Sequence, residues 1–377
     1  MVTTTVQKDE AYMQRAIALA KYGKFTTSPN PVVGCVLVKD DKVIGEGWHQ
    51  KAGEGHAEVN ALANASTDTK GATAYVTLEP CSHFGRTPPC AQGLINAGIT
   101  RVVIAMQDPN PLVSGNGVAM LEKADIATTL GVLENAARAL NPGFIKRMTQ
   151  GLPLVRCKLA SSIDGRTAMA NGESKWITGP DARSDVQGFR AQSCAIISGA
   201  DTVLADNAKL NVRYDELGYA QKSLTAEQVR QPIRIIIDTK NRLTPDLALF
   251  QTDSPIILVR VDLETEQQWP HFVEQMIVKV KNAQADLHDL LLKLAERGLN
   301  TLWLESGARL SGAFLSANLV DELVLYQAPK IMGDSARGLF DLPQLSHLSD
   351  AISLEFNDVR MVGNDLRIIA KIVNPIK

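Results

Sequence analysis

The chain has little of what nucleic-acid binders and membrane proteins are built from. Across 377 residues, 39 Lys and Arg nearly cancel 41 Asp and Glu, leaving a formal charge of −2, and only 5% of residues are aromatic. Tracking a phosphate backbone needs a cationic face, and single-strand readers add aromatic platforms. That balance argues against a nucleic-acid partner, while a local basic pocket for one phosphate stays open. No apolar run approaches the roughly 20 residues that cross a bilayer. The polar stretch from Met1 to Glu10 has no signal-peptide core. Cysteine is scarce and odd in number, at five, which does not suit a disulfide framework. We therefore expect a cytoplasmic protein with no membrane partner. No Gly-x-Gly-x-x-Gly follows a strand, so the standard Rossmann fingerprint is missing, and there is no internal repeat.

What is present is a metal-site vocabulary. His56-Ala57-Glu58 is followed by Pro80-Cys81 and then Cys90. One imidazole and two thiolates make a three-ligand zinc set, and a catalytic zinc keeps its fourth position for water. Glu58 is then a carboxylate free to move protons. His-x-Glu with a later Pro-Cys-x-x-Cys marks zinc nucleobase deaminases, but here eight residues separate Cys81 from Cys90. The apolar run Ala74 to Leu78 reads as a strand that delivers Cys81. Pro88-Pro89-Cys90 reads as a helix start, with proline at the first helical position. Ser82 to Pro89 is then a loop between the thiols. His56 to Ala65 reads as a helix, which favours nearby negative charge at its start. His83 is available as a fourth ligand, which would make the site structural. Cys35, Cys157 and Cys194 lie in apolar runs and read as buried free thiols.

The length and the 45% hydrophobic content suggest two soluble domains. A helix is expected over Asp9 to Tyr22, then strands Val32 to Val38 and Lys42 to Trp48 about an Asp40-Asp41 turn. Strands and helices alternate afterwards: Cys90 helix, Arg101 to Met106 strand, Leu112 to Ala124 helix, Ile126 to Val132 strand. This pattern gives a mixed sheet covered on both faces. Asn-Pro-Gly and Gly-Leu-Pro punctuate Asn141 to Pro153, so the boundary is set near residue 150, giving domains 1–150 and 151–377. The second domain restarts with strands Leu154 to Ala160, Ala195 to Ser198, Ile233 to Asp238, Ile256 to Val259 and Thr301 to Glu305. Helices are expected over Gly179 to Gln192 and Leu287 to Arg297. Strand Leu323 to Gln327 and a hairpin, Leu354 to Met361 and Leu366 to Ile372, close the sheet. Glu305-Ser306-Gly307 runs from a strand into a helix, as a phosphate-binding turn would, but so do ordinary turns. The clusters Ser198 to Asn207 and Ser161 to Arg166 read as loops.

Taken together these stretches resemble the bifunctional deaminase–reductase family of bacterial riboflavin biosynthesis. The matching segments are Asn30-Pro31-Val32-Val33-Gly34, His56-Ala57-Glu58-Val59, Thr77 to His83, Gly85 to Cys90 and Met106 to Pro111. In the second half they are Ser162 to Arg166, Ser174 to Thr178, Asp201 to Asp206 and Glu305-Ser306-Gly307. In this family the wide cysteine spacing is the normal one. The resemblance implies an α/β protein of two domains. The first is a cytidine-deaminase-like three-layer α/β/α domain, the second a dihydrofolate-reductase-like α/β domain. It implies one Zn2+ per chain, NADPH, and a phosphorylated pyrimidine as substrate. His56, Cys81 and Cys90 would hold zinc and Glu58 would be catalytic. Asn30, Ala57, Asp108 and Asn110 would hold the pyrimidine and its sugar, with His49 and Arg86 as candidates for its phosphate. Ala160, Trp176, Thr202, Asp206 and the Gly307 turn would contact NADPH, with Thr239 a further candidate. Ser174, Arg190, Leu210, Arg213 and Glu305 would contact the reductase substrate, with Lys158 nearby. For Arg190 and Arg213 a structural ion pair is the alternative. A homo-oligomer is expected. The rivals are a zinc deaminase of a free nucleoside or nucleic-acid base with a non-catalytic accessory domain, and a zinc-stabilised scaffold.

Overall fold

A computed structural model describes residues 4–83, 88–111, 113–222, 224–263, 266–343 and 345–374. The chain divides into two compact units, residues 1–151 and 152–377.

The first unit begins with helix α1, Thr5–Ala20. Thr4 caps it, with a reciprocal bond from Gln7. Its buried stripe is Asp9, Met13, Ala16, Ile17 and Ala20, the three-to-four spacing of an amphipathic helix. Strands β1, Gly34–Lys39, and β2, Lys42–Trp48, form a hairpin. Asp40 and Asp41 turn it at φ 50° and 58°, the left-handed pair a tight hairpin favours. Then follow α2 (Ala57–Ala63), β3 (Thr73–Val76), α3 (Cys90–Asn96), β4 (Arg101–Ile104), α4 (Asn116–Lys123), β5 (Ala127–Leu130), α5 (Glu134–Arg138) and α6 (Pro142–Gln150). The sheet order is β2-β1-β3-β4-β5. β1 runs antiparallel to both neighbours, and β3, β4 and β5 are parallel.

Alternation along the strands builds three layers. Cys35, Leu37, Ala74, Val76, Val102 and Ile104 pack against Ala61, Leu94 and Leu121 of α2, α3 and α4. Val36, Val38, Tyr75 and Val103 face the other way, toward Met13, Ala16 and Ile17 of α1 and Phe144 of α6. Gly47 lets α2 lie directly on the hairpin, since a Cβ there would sit 2.3 Å from the Ala61 nitrogen. The ends of β3 and β4 therefore open toward the starts of α2, α3 and α4.

Three local readings change. The segment punctuated by Asn141 to Pro153 is largely helical: Pro142 stands at the start of α6 and Gly151, at φ 70°, ends it at the division between the units. That is the proline-first, glycine-last pattern of a helix, read in the sequence as loop punctuation. Pro89 is the N-cap of α3, and Cys90 is its first helical residue. The fourth helix starts at Asn116, after a left-handed Gly115.

The second unit is built on a nine-stranded sheet among the described residues. Its order is Val273–Ile277, Ile256–Arg260, Ile233–Ile237, Ala195–Gly199, Thr301–Glu305, Leu154–Ser162, Glu322–Ala328, Asp365–Asn374 and Ser353–Val362. The first seven are parallel, and the last two form an antiparallel hairpin on that edge. Helices cover both faces. Leu302 and Leu304 pack with Leu290, Leu294 and Phe314 on one side. Trp303 packs on the other, its ring stacked on Phe189 at 4.9 Å. The edge strand Val273–Ile277 has no counterpart in the sequence pattern, and the helix Ala200–Asp206 stands where the pattern reads as a loop. Both are short, and their apolar residues show no clear period. Among the described residues no helix is long and apolar enough to cross a membrane.

Candidate active sites

His56 is the N-cap of α2, with extended backbone, so its ring stands at the open end of that helix. Cys81 follows β3 and Cys90 opens α3. His56 Nδ1 lies 3.2 Å from Cys90 Sγ and 3.7 Å from Cys81 Sγ. The three donor atoms all lie within 4.8 Å of one another. Among the described residues this is the one such cluster, and His83 is not part of it. Bond lengths of about 2.0–2.3 Å arranged tetrahedrally ask for donor separations near these values, and one imidazole with two thiolates suits zinc. The residues fit the ion and leave one position without a protein donor.

The electrostatics agree with that use. The hydrogen bond from Cys90 brings the Cys81 thiol down to about 4, helped by His56 and by the Cys90 backbone N–H, 3.2 Å away. The same bond keeps the Cys90 proton in place and raises its pKa. The hydrogen bond to Cys81 raises His56. Glu58, in the first turn of α2, is 3% exposed. Burial lifts its carboxyl to about 7, against the pull of its own backbone N–H and of His56. A carboxylate poised near neutrality is what proton transfer wants.

The surrounding residues divide. Ala57 is the first helical residue beside this cluster, where N–H groups lack helical partners. Asn30 Nδ2 lies 3.2 Å from His49 Nε2, and His49 Nδ1 lies 3.1 Å from the Gly55 carbonyl. The carbonyl fixes the ring proton on Nδ1, so Nε2 accepts from Asn30. Burial lowers the His49 pKa. With both nitrogens engaged, the buried His49 ring aligns Asn30. Its ring edge meets His56 at 5.4 Å. Asp108 accepts the Asn110 N–H at 2.8 Å, and burial raises its carboxyl. Arg86 lies outside the described residues. Sequence reasoning missed Glu79, whose buried carboxylate ties down the Asp108 loop. Its signal was a lone charge closing an apolar strand.

In the second unit, Lys158 and Glu305 are register partners on neighbouring parallel strands. Arg190, from helix Pro180–Gln192, forks onto both Glu305 oxygens at 2.7 Å and donates to the Asn211 carbonyl at 2.9 Å. Burial pushes the Glu305 carboxyl up, but the charge and hydrogen bonds of Arg190, with Lys158, hold it at about 2. Burial lowers Lys158, opposed by Glu305. Arg190 and Glu305 thus form a largely buried ion pair. Arg213 forks onto exposed Glu216 at 2.6 Å. Leu210 is buried, in left-handed backbone at φ 51°.

Two strand-to-helix turns lie side by side at the carboxyl edge of this sheet. One passes through Gly199 into Ala200–Asp206, and the other through Gly307 into Ala308–Ser316. Ser198 Oγ donates to the Glu305 carbonyl at 2.6 Å and locks them together. A Cβ on Gly307 would meet nothing within 4 Å, so this turn offers backbone N–H groups to open space. Such a turn is where open α/β sheets seat phosphates. Trp176 is 64% exposed, with the Arg183 guanidinium 4.7 Å above its ring. Asp206 pairs with Lys175 at 3.2 Å, and Thr202 lies on the same short helix. Ala160 sits within strand Leu154–Ser162 and is half-buried, as is Ser174, while Thr239 follows the end of Ile233–Ile237.

One α/β unit thus holds a three-donor metal cluster and the other an open glycine turn at its sheet edge. Residues 6–106 match the cytidine and deoxycytidylate deaminase zinc-binding region, and residues 153–368 match the RibD C-terminal domain. The chain is 53% identical to the riboflavin biosynthesis protein RibD of Haemophilus influenzae, over 96% of each chain. It is 51% identical to the Escherichia coli protein of that name, over 95% of this chain and 98% of that one. Acinetobacter baumannii RibD superposes with a TM-score of 0.90 at 43% identity, over 98% of this chain and 100% of that one. A Thermotoga maritima diaminohydroxyphosphoribosylaminopyrimidine deaminase/5-amino-6-(5-phosphoribosylamino)uracil reductase gives 0.86 at 33% identity, with the same coverage. The chain belongs to the RibD family of bifunctional deaminase–reductases of riboflavin biosynthesis.

Proposed function

We propose that the chain deaminates 2,5-diamino-6-ribosylamino-4(3H)-pyrimidinone 5′-phosphate and then reduces its ribosyl group to ribityl with NADPH. The observation that carries this is the convergence of His56, Cys81 and Cys90 beside buried Glu58. Zinc, when bound, supplies a Lewis acid that makes water nucleophilic near neutral pH. Glu58 takes one proton of the attacking water on a carboxylate oxygen and passes it to the ring nitrogen, then takes the second from the added hydroxyl and passes it to the departing amine, which leaves as ammonia. Its raised pKa lets it act as base and then as acid in one turnover. Asn30, aligned by His49, and the Ala57 N–H hold the ring, and Asp108 and Asn110 hold ring and sugar. Arg86 is the candidate for the phosphate.

NADPH, when bound, supplies the hydride to the sugar carbon that carries nitrogen. The Gly307 turn takes its phosphates, with Ala160, Trp176, Thr202, Asp206 and Thr239 along its length. Lys158, the register partner of Glu305, is the candidate proton source, since burial lowers its pKa. Glu305 and Arg190 form a rigid charged wall for the ribose chain, with Ser174 and Leu210 beside it. Arg213, more exposed than Arg190, is the fork for the substrate phosphate.

We place the protein in a reducing compartment, the cytoplasm, which five free cysteines support. The balanced charge supports a small-molecule partner in place of nucleic acid. A homo-oligomer is supported by the edge strand Ser353–Val362, where Leu354, Phe356, Val359 and Met361 are exposed. Incubating the zinc-loaded chain with the diamino substrate and NADPH tests the proposal. Release of ammonia followed by NADPH oxidation is expected. Ammonia release without NADPH consumption would leave a lone deaminase with an accessory domain.

A further inference from the structure

Glu79 is the last side chain before Pro80-Cys81, and it is 5% exposed. Its carboxylate accepts four backbone N–H groups from a distant stretch of chain. Oε2 receives those of Asp108 at 3.1 Å and Gly115 at 3.0 Å. Oε1 receives those of Gly117 at 2.9 Å and Val118 at 3.3 Å. The Glu79 N–H in turn donates to the Met106 carbonyl at 3.0 Å, at the end of β4. These partners bracket the loop that carries Asp108 and Asn110 and finish in the first turn of α4. A helix start leaves N–H groups without intrahelical partners, and a capping side chain normally meets some of them. Gly115, the N-cap of α4, has no side chain to offer. Glu79 does that work from the strand end beside the metal cluster. The approach is close: a Cβ on Gly117 would lie 2.1 Å from the Pro80 carbonyl oxygen.

We infer that Glu79 is a positioning residue for deamination, clamping the ring-binding loop Asp108–Asn110 at a fixed distance from Cys81. The inference rests on the deaminase reading proposed above. Glu79 is not among the three donors, and its carboxylate is spent on backbone. What it supplies is register between two groups that must act on one substrate. A carboxylate that holds four amides can be replaced only in part by Gln, which presents an N–H to two of them. The loop then loosens, while His56, Cys81 and Cys90 keep their own anchors in α2, the end of β3 and α3. Misplaced binding groups raise KM before they alter the chemical step.

The test compares the full, zinc-loaded chain with Glu79→Gln and with Gly115→Ala. Gly115→Ala strains the same loop at φ 79° without touching the metal strand. For Glu79→Gln, the deaminase KM should rise about ten- to a hundredfold with a smaller fall in kcat, the cost expected for buried donors left unmet. Zinc should stay at one per chain, and reduction of separately deaminated substrate should be unchanged. Gly115→Ala should move KM the same way by less. Should Glu79→Gln fail to fold, Gly115→Ala decides alone, and an unchanged KM there overturns the inference. Loss of zinc from Glu79→Gln, or a lower Tm with wild-type KM, also overturns it. A wild-type chain that binds zinc but leaves this pyrimidine intact sinks the substrate reading and this inference together. Deamination by wild type beside unaltered variants sinks the clamp alone.

Discussion

The two centres are built on opposite plans. The first gathers side chains on one point: three metal donors within 4.8 Å, with a buried carboxylate alongside. The second, as proposed, is spread along a sheet edge and leaves much of its binding to backbone. Its charged side chains, Glu305 and Arg190, are already paired with each other. Chemistry that depends on a metal needs particular donor atoms. Chemistry carried by a bound dinucleotide needs shape, open N–H groups and a fixed electrostatic wall. The first centre should therefore fail sharply when one side chain changes, and the second by degrees.

The sharpest expected failure is Glu58→Gln. Deamination should drop by about 10²- to 10⁴-fold, the worth of a positioned proton carrier. Metal analysis should still find zinc, and the reductase rate should hold. Surviving deamination would take Glu58 out of the mechanism.

Next comes Arg190→Met, which strands a buried carboxylate. Breaking one side of such a pair costs roughly 3–5 kcal/mol. Urea unfolding followed by tryptophan fluorescence reads it, because Trp303 lies in the core beside Phe189 while Glu305 accepts its indole N–H. A loss under about 1 kcal/mol would show a pair that solvent already weakens.

Acid sharpens the contrast further. Glu305 sits at about 2 in the folded chain against an ordinary 4.5. A depressed carboxylate stabilises the fold above its unfolded pKa and loses that contribution as pH falls through its folded value. Between pH 5 and pH 2 the stability advantage of wild type over Glu305→Gln should therefore shrink by roughly 3 kcal/mol. A difference that stays flat over this window would mean that Arg190 does not hold the carboxylate down. The mildest change is Trp176→Ala. Losing one aromatic face should weaken NADPH binding about three- to tenfold by fluorescence titration. An unchanged Kd would remove Trp176 from the cofactor's path.

The same contrast explains what could be read before the structure. His56, Glu58, Cys81 and Cys90 were legible because their chemistry lies in side-chain type and spacing. The layered sheets were legible because a hairpin is followed by strands alternating with helices, and a strand such as Cys35 to Val38 is apolar on both faces. The helix Ala200–Asp206 was not, since its seven residues hold only Val203 and Leu204 as larger apolar side chains, too few to show a period. Nor was α6, whose Pro142 and Gly151 look the same in a linker as at the two ends of a helix. Glu79 was hidden for a different reason. Its partners are backbone groups 29 to 39 residues away, which no local pattern announces. Arg190 showed its type, but only the fold shows that it faces Glu305.

The most direct test strips the metal from the purified chain with a chelator and follows both reactions. The account predicts about one zinc per chain at the start. Ammonia release should vanish with the metal and return on adding Zn2+, while NADPH-dependent reduction of the deaminated intermediate persists throughout. Deamination that continues at full rate in metal-free protein would contradict it.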